Sequence, residues 1–151
     1  MQKPISTKVH GVLDYVTAAF LHTLPRAMGW SRQVTAVLDG AGAAATAYSL
    51  VTKYELSAAK VLPMPAHLTM DAISGAGLIG AALLLDDEDP EVRATLAGIG
   101  AFEIAVAMLT HPVPQRVYAR KAKPAGVGSV ESGAWSQPSM PSAPTPATAS
   151  A

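Results

Sequence analysis

The run of residues 63–85, PMPAHLTMDAISGAGLIGAALLL, constrains this chain more than any other feature. It is the longest nearly continuous apolar segment. As a helix entered at Pro65, where the missing N–H of proline costs no hydrogen bond, it matches the ~20 residues that cross a bilayer. Small residues recur every four positions at Ala72, Ala76 and Gly80, a spacing that lets membrane helices pack closely. The sequence therefore predicts a membrane span.

The overall composition is consistent with a membrane protein. Half of the 151 residues are apolar and only 15% are charged, with 11 basic and 11 acidic residues, so the zero net charge argues against nucleic acid as a partner. The chain has no cysteine, which excludes disulfides and thiolate metal sites. A soluble helical domain is the alternative, because every charge-free run is shorter than the length that makes a membrane span unambiguous. Against it stand glycines in the middle of the predicted helices, where each would cost a soluble helix ~1 kcal/mol.

Four apolar segments are long enough to be interpreted as spans. The predicted spans are 8–24, 33–52, 63–85 and 90–110. Ser6 or Thr7 is the expected N-cap of the first span, and Pro25 and Gly29 are expected to close it. Asp89 before Pro90 is the expected N-cap of the fourth. We therefore predict an all-α integral membrane four-helix bundle, occupying residues 1–112.

The second half of this region repeats the first. Aligning His10 with His67 also pairs Asp14 with Asp71 and Thr17 with Ser74. A second alignment, offset by one further position, pairs Leu38 with Leu96, Gly40 with Gly98, Gly42 with Gly100, Ala43 with Ala101, Ala47 with Ala105 and Thr52 with Thr110. The pattern predicts two tandem helix-pair repeats, at about 6–54 and 63–112. Because each unit crosses the membrane twice, we expect a pseudo-two-fold axis along the membrane normal.

This plan resembles the SPW-repeat family of small bacterial integral membrane proteins, whose unit is a helix pair with a Ser-Pro-Trp motif in its first helix. Pro25, after Leu24, and the displaced Trp30 are the nearest counterparts of that motif, and the second copy has no tryptophan. The resemblance covers about residues 4–112. It implies a bacterial inner-membrane location and paired spans, and it implies no established biochemical activity.

The repeated residues carry the chemistry of interest. His10 and Asp14, like His67 and Asp71, are four positions apart and so share one helix face, and Thr17 and Ser74 continue these two stripes. Around a pseudo-two-fold axis the stripes can meet near the inner face of the bilayer, with His111 at a similar depth. A set of two histidines and two aspartates can hold Zn²⁺ or Fe²⁺, can relay protons, or can serve as hydrogen-bonded glue between spans. The three interpretations stay open at this point.

Glu103 is a separate candidate because it falls near the middle of the fourth span. A charged carboxylate is costly there, and Thr46 on the second span lies at the same level and is a possible hydrogen-bond partner. Glu103 is then either a neutral, hydrogen-bonded side chain or part of a proton path.

The distribution of Lys and Arg predicts the orientation. Eight of the eleven basic residues fall on the side that holds both termini, which places the termini in the cytoplasm. Four of these eight lie in a basic juxtamembrane segment, 113–123. Residues 124–151 are rich in Pro, Ala and Ser and predict a disordered tail.

Two classes of function are consistent with these features. The first is a structural or accessory protein of the bilayer that turns over no substrate and associates with itself through glycine and alanine faces. The second is a transporter-like or redox-accessory protein that handles protons or a metal with the intramembrane His, Asp and Glu residues. No residue set has the spacing of a known catalytic motif, so we predict no catalytic residue and no cofactor. The first class is favoured, because four spans leave little room for a cavity within one chain.

Overall fold

The computed structural model describes residues 3–113, and within this range the protein has four α-helices and no regular strand. The helices are α1 (Thr7–Ala27), α2 (Arg32–Val51), α3 (Met64–Leu84) and α4 (Pro90–Leu109). The all-α prediction is confirmed, and each predicted span corresponds to one helix. The predicted tail 124–151, and the predicted basic segment 113–123 beyond its first residue, lie outside the described residues.

The helix ends follow local sequence signals, with one exception. Ser6 is the N-cap of α1 and its hydroxyl accepts from the Val9 N–H at 3.2 Å. Asp89 is the N-cap of α4, although its side chain makes no capping hydrogen bond. The prediction that Pro25 and Gly29 close the first helix is correct only for Gly29, because α1 continues through Pro25 to Ala27. Proline removes one hydrogen bond near the end of the helix but its fixed φ is helical, and the chain turns only at Gly29, whose φ is +66°.

The helices form two pairs, α1 with α2 and α3 with α4, and contacts between α2 and α3 join the pairs. An apolar core fills the end of the bundle where α1 and α3 finish and α2 and α4 begin. The core residues are Leu21, Val34, Leu38, Leu78, Ala82, Val92 and Leu96. Leu38 and Leu96, which the second sequence alignment pairs, are both fully buried there. The buried polar side chains lie at the opposite end, where α1 and α3 begin.

The closest helix contact is not made by the predicted small-residue stripes. A Cβ at Gly77 or Gly80 would meet nothing within 4 Å, whereas one at Gly75 would overlap the carbonyl oxygen of Gly100, and one at Gly100 would overlap that of Gly75. The predicted stripe with Ala72, Ala76 and Gly80 is therefore not the face that makes this close contact. Helix rotation is set by the polar residues that must face inward, and these turn Gly75 toward α4.

Three of the helices, α2, α3 and α4, are long and apolar enough to cross a membrane. Among the described residues α1 is not in this group, although it is 21 residues long. The difference arises from its polar side chains, because α1 contains Lys8, His10, Asp14 and Arg26.

Two short backbone bridges close the polar end of the bundle. Ile5, before α1, pairs in parallel with Thr110, after α4, and Thr52, after α2, pairs in parallel with Leu62, before α3. Ile5 and Leu62 correspond under the first sequence alignment, and Thr52 and Thr110 correspond under the second. The end of α4 is thus held beside the start of α1, and the end of α2 beside the start of α3. These bridges fix the positions of Thr110 and Thr52.

Candidate functional site

Two histidines and two aspartates meet between the first turns of α1 and α3. The Nε2 atoms of His10 and His67 are 3.0 Å apart. His10 Nε2 lies 3.2 Å from Asp14 Oδ1 and 3.0 Å from Asp71 Oδ2. His67 Nε2 lies 3.1 Å from Asp14 Oδ2 and 3.3 Å from Asp71 Oδ2. One ligand atom from each of the four residues lies within 4.8 Å of all the others. The structure therefore brings the two sequence pairs together in one group, called here the inner cluster.

The inner cluster is shielded from the surroundings. The side chains of the two histidines are 0–1% exposed and those of Asp14 and Asp71 are 8% and 9% exposed. Groups buried to this degree need hydrogen-bond or ionic partners, because an unpaired buried charge is strongly destabilising.

A threonine hydroxyl holds the Nδ1 atom of each histidine, the ring nitrogen that faces away from the other histidine. His10 Nδ1 lies 2.8 Å from Thr110 Oγ1, and His67 Nδ1 lies 2.8 Å from Thr52 Oγ1. Both threonine hydroxyls donate their single proton elsewhere, to the backbone carbonyls of Val106 and Tyr48, each at 2.6 Å. Each hydroxyl can therefore only accept from the ring, so we assign a proton to Nδ1 of both histidines.

The carboxylates have hydroxyl partners of their own. Tyr48 donates to Asp71 Oδ1 at 2.7 Å, and Ser49 donates to Asp14 Oδ2 at 3.2 Å. The Tyr54 hydroxyl lies 3.5 Å from Asp14 Oδ2, and the Tyr54 ring packs edge-on against His67. Burial is the chief reason that the pKa of the Tyr54 phenol is raised above its ordinary value, so Tyr54 stays a neutral donor. These bonds orient both carboxylates toward the histidines.

The assignment of protons leaves four electron-pair donors facing one another. With a proton on each Nδ1, the neutral rings direct their Nε2 lone pairs toward each other and toward two carboxylates. Such a group is stable only with a positive charge at its centre, carried by protons on the rings or by a metal ion. The arrangement can therefore bind a cation or hold protons.

A small cavity adjoins the inner cluster on the side of α4. It is lined by His10, Leu13, Asp14, Thr17, Ala45, Tyr48, Asp71, Phe102, Glu103 and Val106, and the centre of a water molecule has about 20 Å³ available in it. This is room for about one water. Glu103 Oε2 is buried and has no hydrogen-bond partner among the described residues. The expected hydrogen bond, in which Thr46 accepts the Glu103 proton, is not among those of the described residues, and the Thr46 hydroxyl donates to the Gly42 carbonyl of its own helix at 2.9 Å.

Two further predicted residues line cavities near the inner cluster. Thr17 lines the small cavity together with His10 and Asp14, and Ser74 lines a larger groove of about 480 Å³ between α2 and α3. The hydroxyls described as bonding to the cluster come from other residues. The His111 backbone N–H donates to the Ile5 carbonyl at 2.9 Å.

A second His/Asp group lies nearer the opposite end of the bundle and is called the outer cluster. His22 Nδ1 is 2.8 Å from Asp39 Oδ1, and the Arg26 guanidinium donates to both Asp39 oxygens at 2.8 and 2.7 Å. These side chains are between 31% and 57% exposed. The outer cluster includes its own permanent cation, Arg26.

Several residues of the site were not predicted from the sequence. These are Tyr48, Ser49, Thr52, Tyr54 and Thr110. The coincidence of Thr52 with Thr110 under the second alignment was a usable signal, because the two threonines repeat much as the histidines do. Tyr48 left no such signal, since Val106 occupies the equivalent position.

Comparison with known proteins finds no match: no family model matches this sequence, and no curated protein or solved structure is significantly similar to it. The function must therefore be inferred from the residues and their geometry.

Proposed function

We propose that this chain is a small multi-pass membrane protein with four spans and a structural or accessory role in the bilayer, with no turnover of its own. One observation carries this proposal: charged side chains are buried and large apolar ones are exposed, the reverse of a water-soluble protein. The inner cluster is buried between the helices, while large apolar side chains such as Ile73, Leu83 and Met108 are 66–70% exposed. A bilayer accommodates this arrangement, because lipid solvates the apolar exterior and helices bury the polar groups among themselves.

The proposal includes α1 as a span despite its polar residues. Val9, Val12, Val16 and Phe20 are 46–60% exposed and follow one helix face at intervals of three and four positions. The inner-cluster residues of α1, His10 and Asp14, face the interior of the bundle instead. The low hydropathy of α1 thus reflects its contribution to a buried site, and its outer face is as apolar as lipid contact requires.

We further propose that the four spans are two tandem repeats of one helix pair. Four kinds of equivalence support it, all related by the two sequence alignments: the histidines and aspartates, the threonines that fix the rings, the backbone bridges, and the core leucines. Gly42 adds a fifth, because a Cβ there would lie 3.1 Å from the Ala18 carbonyl, as Gly100 packs on Gly75. This organisation accords with membership of the SPW-repeat family.

The proposed location is the plasma (inner) membrane of a bacterium, with both termini in the cytoplasm. The excess of Lys and Arg on the side of the inner cluster supports this orientation. The proposed partners are the lipid bilayer and a second copy of the chain. Gly40, Gly77, Gly80 and Gly98 support self-association, because a Cβ at each would meet nothing within 4 Å among residues 3–113.

Membrane fractionation with single-cysteine labelling tests this proposal, and the chain is suited to it because it has no cysteine of its own. We expect the protein to stay with membranes in alkaline carbonate and to dissolve only in detergent. Lys3→Cys and a cysteine after Ala122 should be protected from an impermeant maleimide in intact cells, while Asp87→Cys should react. Termini on opposite faces would mean three spans, and a soluble protein would overturn the proposal.

A second candidate function is transporter-like or redox-accessory handling of protons or a metal. It is favoured by one observation, the burial of two carboxylates and two imidazoles against each other with no Lys or Arg among the ion pairs described at that end of the bundle. A purely structural joint does not require this much buried charge.

A further inference from the structure

We propose that the inner cluster is a binding site for a divalent transition-metal ion, ligated by Nε2 of His10 and His67 and by one carboxylate oxygen each of Asp14 and Asp71. Such a site rests on the second candidate function and goes beyond the structural role. Three properties of the cluster support it: its geometry, its hydrogen-bond partners and its charge.

The distances between the ligand atoms suit tetrahedral coordination. Bonds of about 2.0–2.1 Å to imidazole nitrogen and carboxylate oxygen imply ligand atoms about 3.3 Å apart in a tetrahedron. Asp14 approaches His10 with Oδ1 and His67 with Oδ2, so with either oxygen as the ligand four of the six edges measure 3.0–3.3 Å. All six edges of the four-atom set are within 4.8 Å. An ion at the centre needs only a small outward movement of the side chains.

The Nδ1 atoms of the two histidines already have the kind of partner that metal-binding histidines use. A ligating imidazole donates its other N–H to an oxygen, which fixes the tautomer and the ring direction. Here Thr110 and Thr52 each present an oxygen that is confined to accepting, because its own proton is used on a backbone carbonyl. Both rings therefore have their Nε2 atom directed into the cluster before any ion binds, and an ion would take the place of the protons held there.

The charge of the site selects the ion. Two carboxylates and two neutral imidazoles carry a charge of −2, so a divalent ion makes the buried group neutral, which is the favourable state inside a bilayer. Nitrogen ligands and a coordination number of four suit Zn²⁺, with Fe²⁺ and Co²⁺ as related choices. Mg²⁺ and Ca²⁺ are unsuitable because they require six or more ligands, mostly oxygen.

The test uses full-length protein purified in detergent through a tag without histidine, stripped with a chelator, and then loaded with Zn²⁺ or Co²⁺. We expect one Zn²⁺ per chain, a higher melting temperature with Zn²⁺ and no change with Mg²⁺. Co²⁺ should give the intense visible absorption of a tetrahedral site. A well-folded, monodisperse protein that takes up neither ion would overturn the proposal and leave the cluster as a hydrogen-bonded joint.

Matched variants locate the ion. Asp71→Asn and His67→Gln should abolish stoichiometric uptake, whereas Asp39→Asn in the outer cluster and Glu103→Gln beside the cavity should leave it at one ion per chain. Loss of uptake in either control would place the ion elsewhere and overturn the assignment.

Thr110→Val provides a variant that keeps all four ligands. Removing the oxygen that orients His10 should weaken Zn²⁺ affinity about 10–100-fold without changing the stoichiometry. An unchanged affinity would contradict the role given to the threonine. Membrane association is measured separately, so a membrane-bound protein without metal uptake would refute this inference and leave the proposed function intact.

Discussion

The inner and outer clusters are built from the same residue types and differ in almost every physical respect. In the outer cluster His22 and Asp39 are 40% and 31% exposed, and Arg26 neutralises the carboxylate directly. In the inner cluster the histidine and aspartate side chains are at most 9% exposed, and their charge is balanced only within the group. A contact between His and Asp is therefore not informative by itself. Its depth and its nearest cation decide whether it is a surface contact or a candidate site.

The largest expected effect is the loss of an inner carboxylate. Asp14→Ala and Asp71→Ala should each lower the free energy of unfolding in detergent by about 3 kcal/mol, because each leaves buried histidines without their partner. The double variant should cost at least ~1 kcal/mol less than the sum, as expected for coupled neighbours. Thermal or denaturant unfolding of the parent, the two single variants and the double variant measures this coupling. Additive losses would mean that the two pairs act separately.

A pair of glycine substitutions compares how tightly the two clusters are packed. A Cβ at Gly11 would overlap the Tyr54 ring, which packs on His67, so Gly11→Ala should cost about 1–3 kcal/mol. A Cβ at Gly42 would lie 3.1 Å from both the Ala18 carbonyl oxygen and the His22 ring, which is a tight contact but not the overlap found at Gly11, so Gly42→Ala should cost less.

Gly77→Ala is the control for both, because its Cβ would meet nothing within 4 Å. Its melting temperature, measured on monomeric protein in detergent so that the proposed self-association does not contribute, should equal or exceed that of the parent. If Gly42→Ala were the more damaging of the two substitutions, the outer cluster would be the more rigid region, and the comparison would be reversed.

The smallest effect is expected at the outer cluster itself. Arg26→Ala should leave the melting temperature within error of the parent, because exposed ion pairs contribute little and are screened by salt. Melting curves at low and high NaCl concentration check this, and any small difference should vanish in high salt. A loss comparable to that of Asp71→Ala would show that exposure does not separate the two clusters.

Much of this architecture could be predicted because it rests on local or repeated patterns. Apolar length located all four helices within a few residues, and the repetition of His10 and Asp14 at His67 and Asp71 pointed to one shared site. The rotation of each helix was less accessible, because it depends on its partner. Gly75 and not Ala76 packs against α4, and Thr46 bonds to its own backbone and not to Glu103.

Other parts of the site lie where sequence patterns carry little information. Thr52 and Thr110 follow the last helical residues of α2 and α4, and only the folded connections bring them to the rings. Tyr48 has no equivalent in the second half, so the repeat did not point to it. Its role depends on the three-dimensional position of one hydroxyl.

The crossed pairing of histidines and threonines has a consequence for the integrity of the chain. His10 of the first helix pair is bonded to Thr110 of the second, and His67 of the second is bonded to Thr52 of the first. Neither half is complete alone, so each is a complementation fragment for the other. A chain cut between Ser57 and Lys60 should recover the four-residue cluster only when the two pieces are produced together. Two copies of the second piece would lack the hydroxyls of Tyr48, Ser49 and Tyr54.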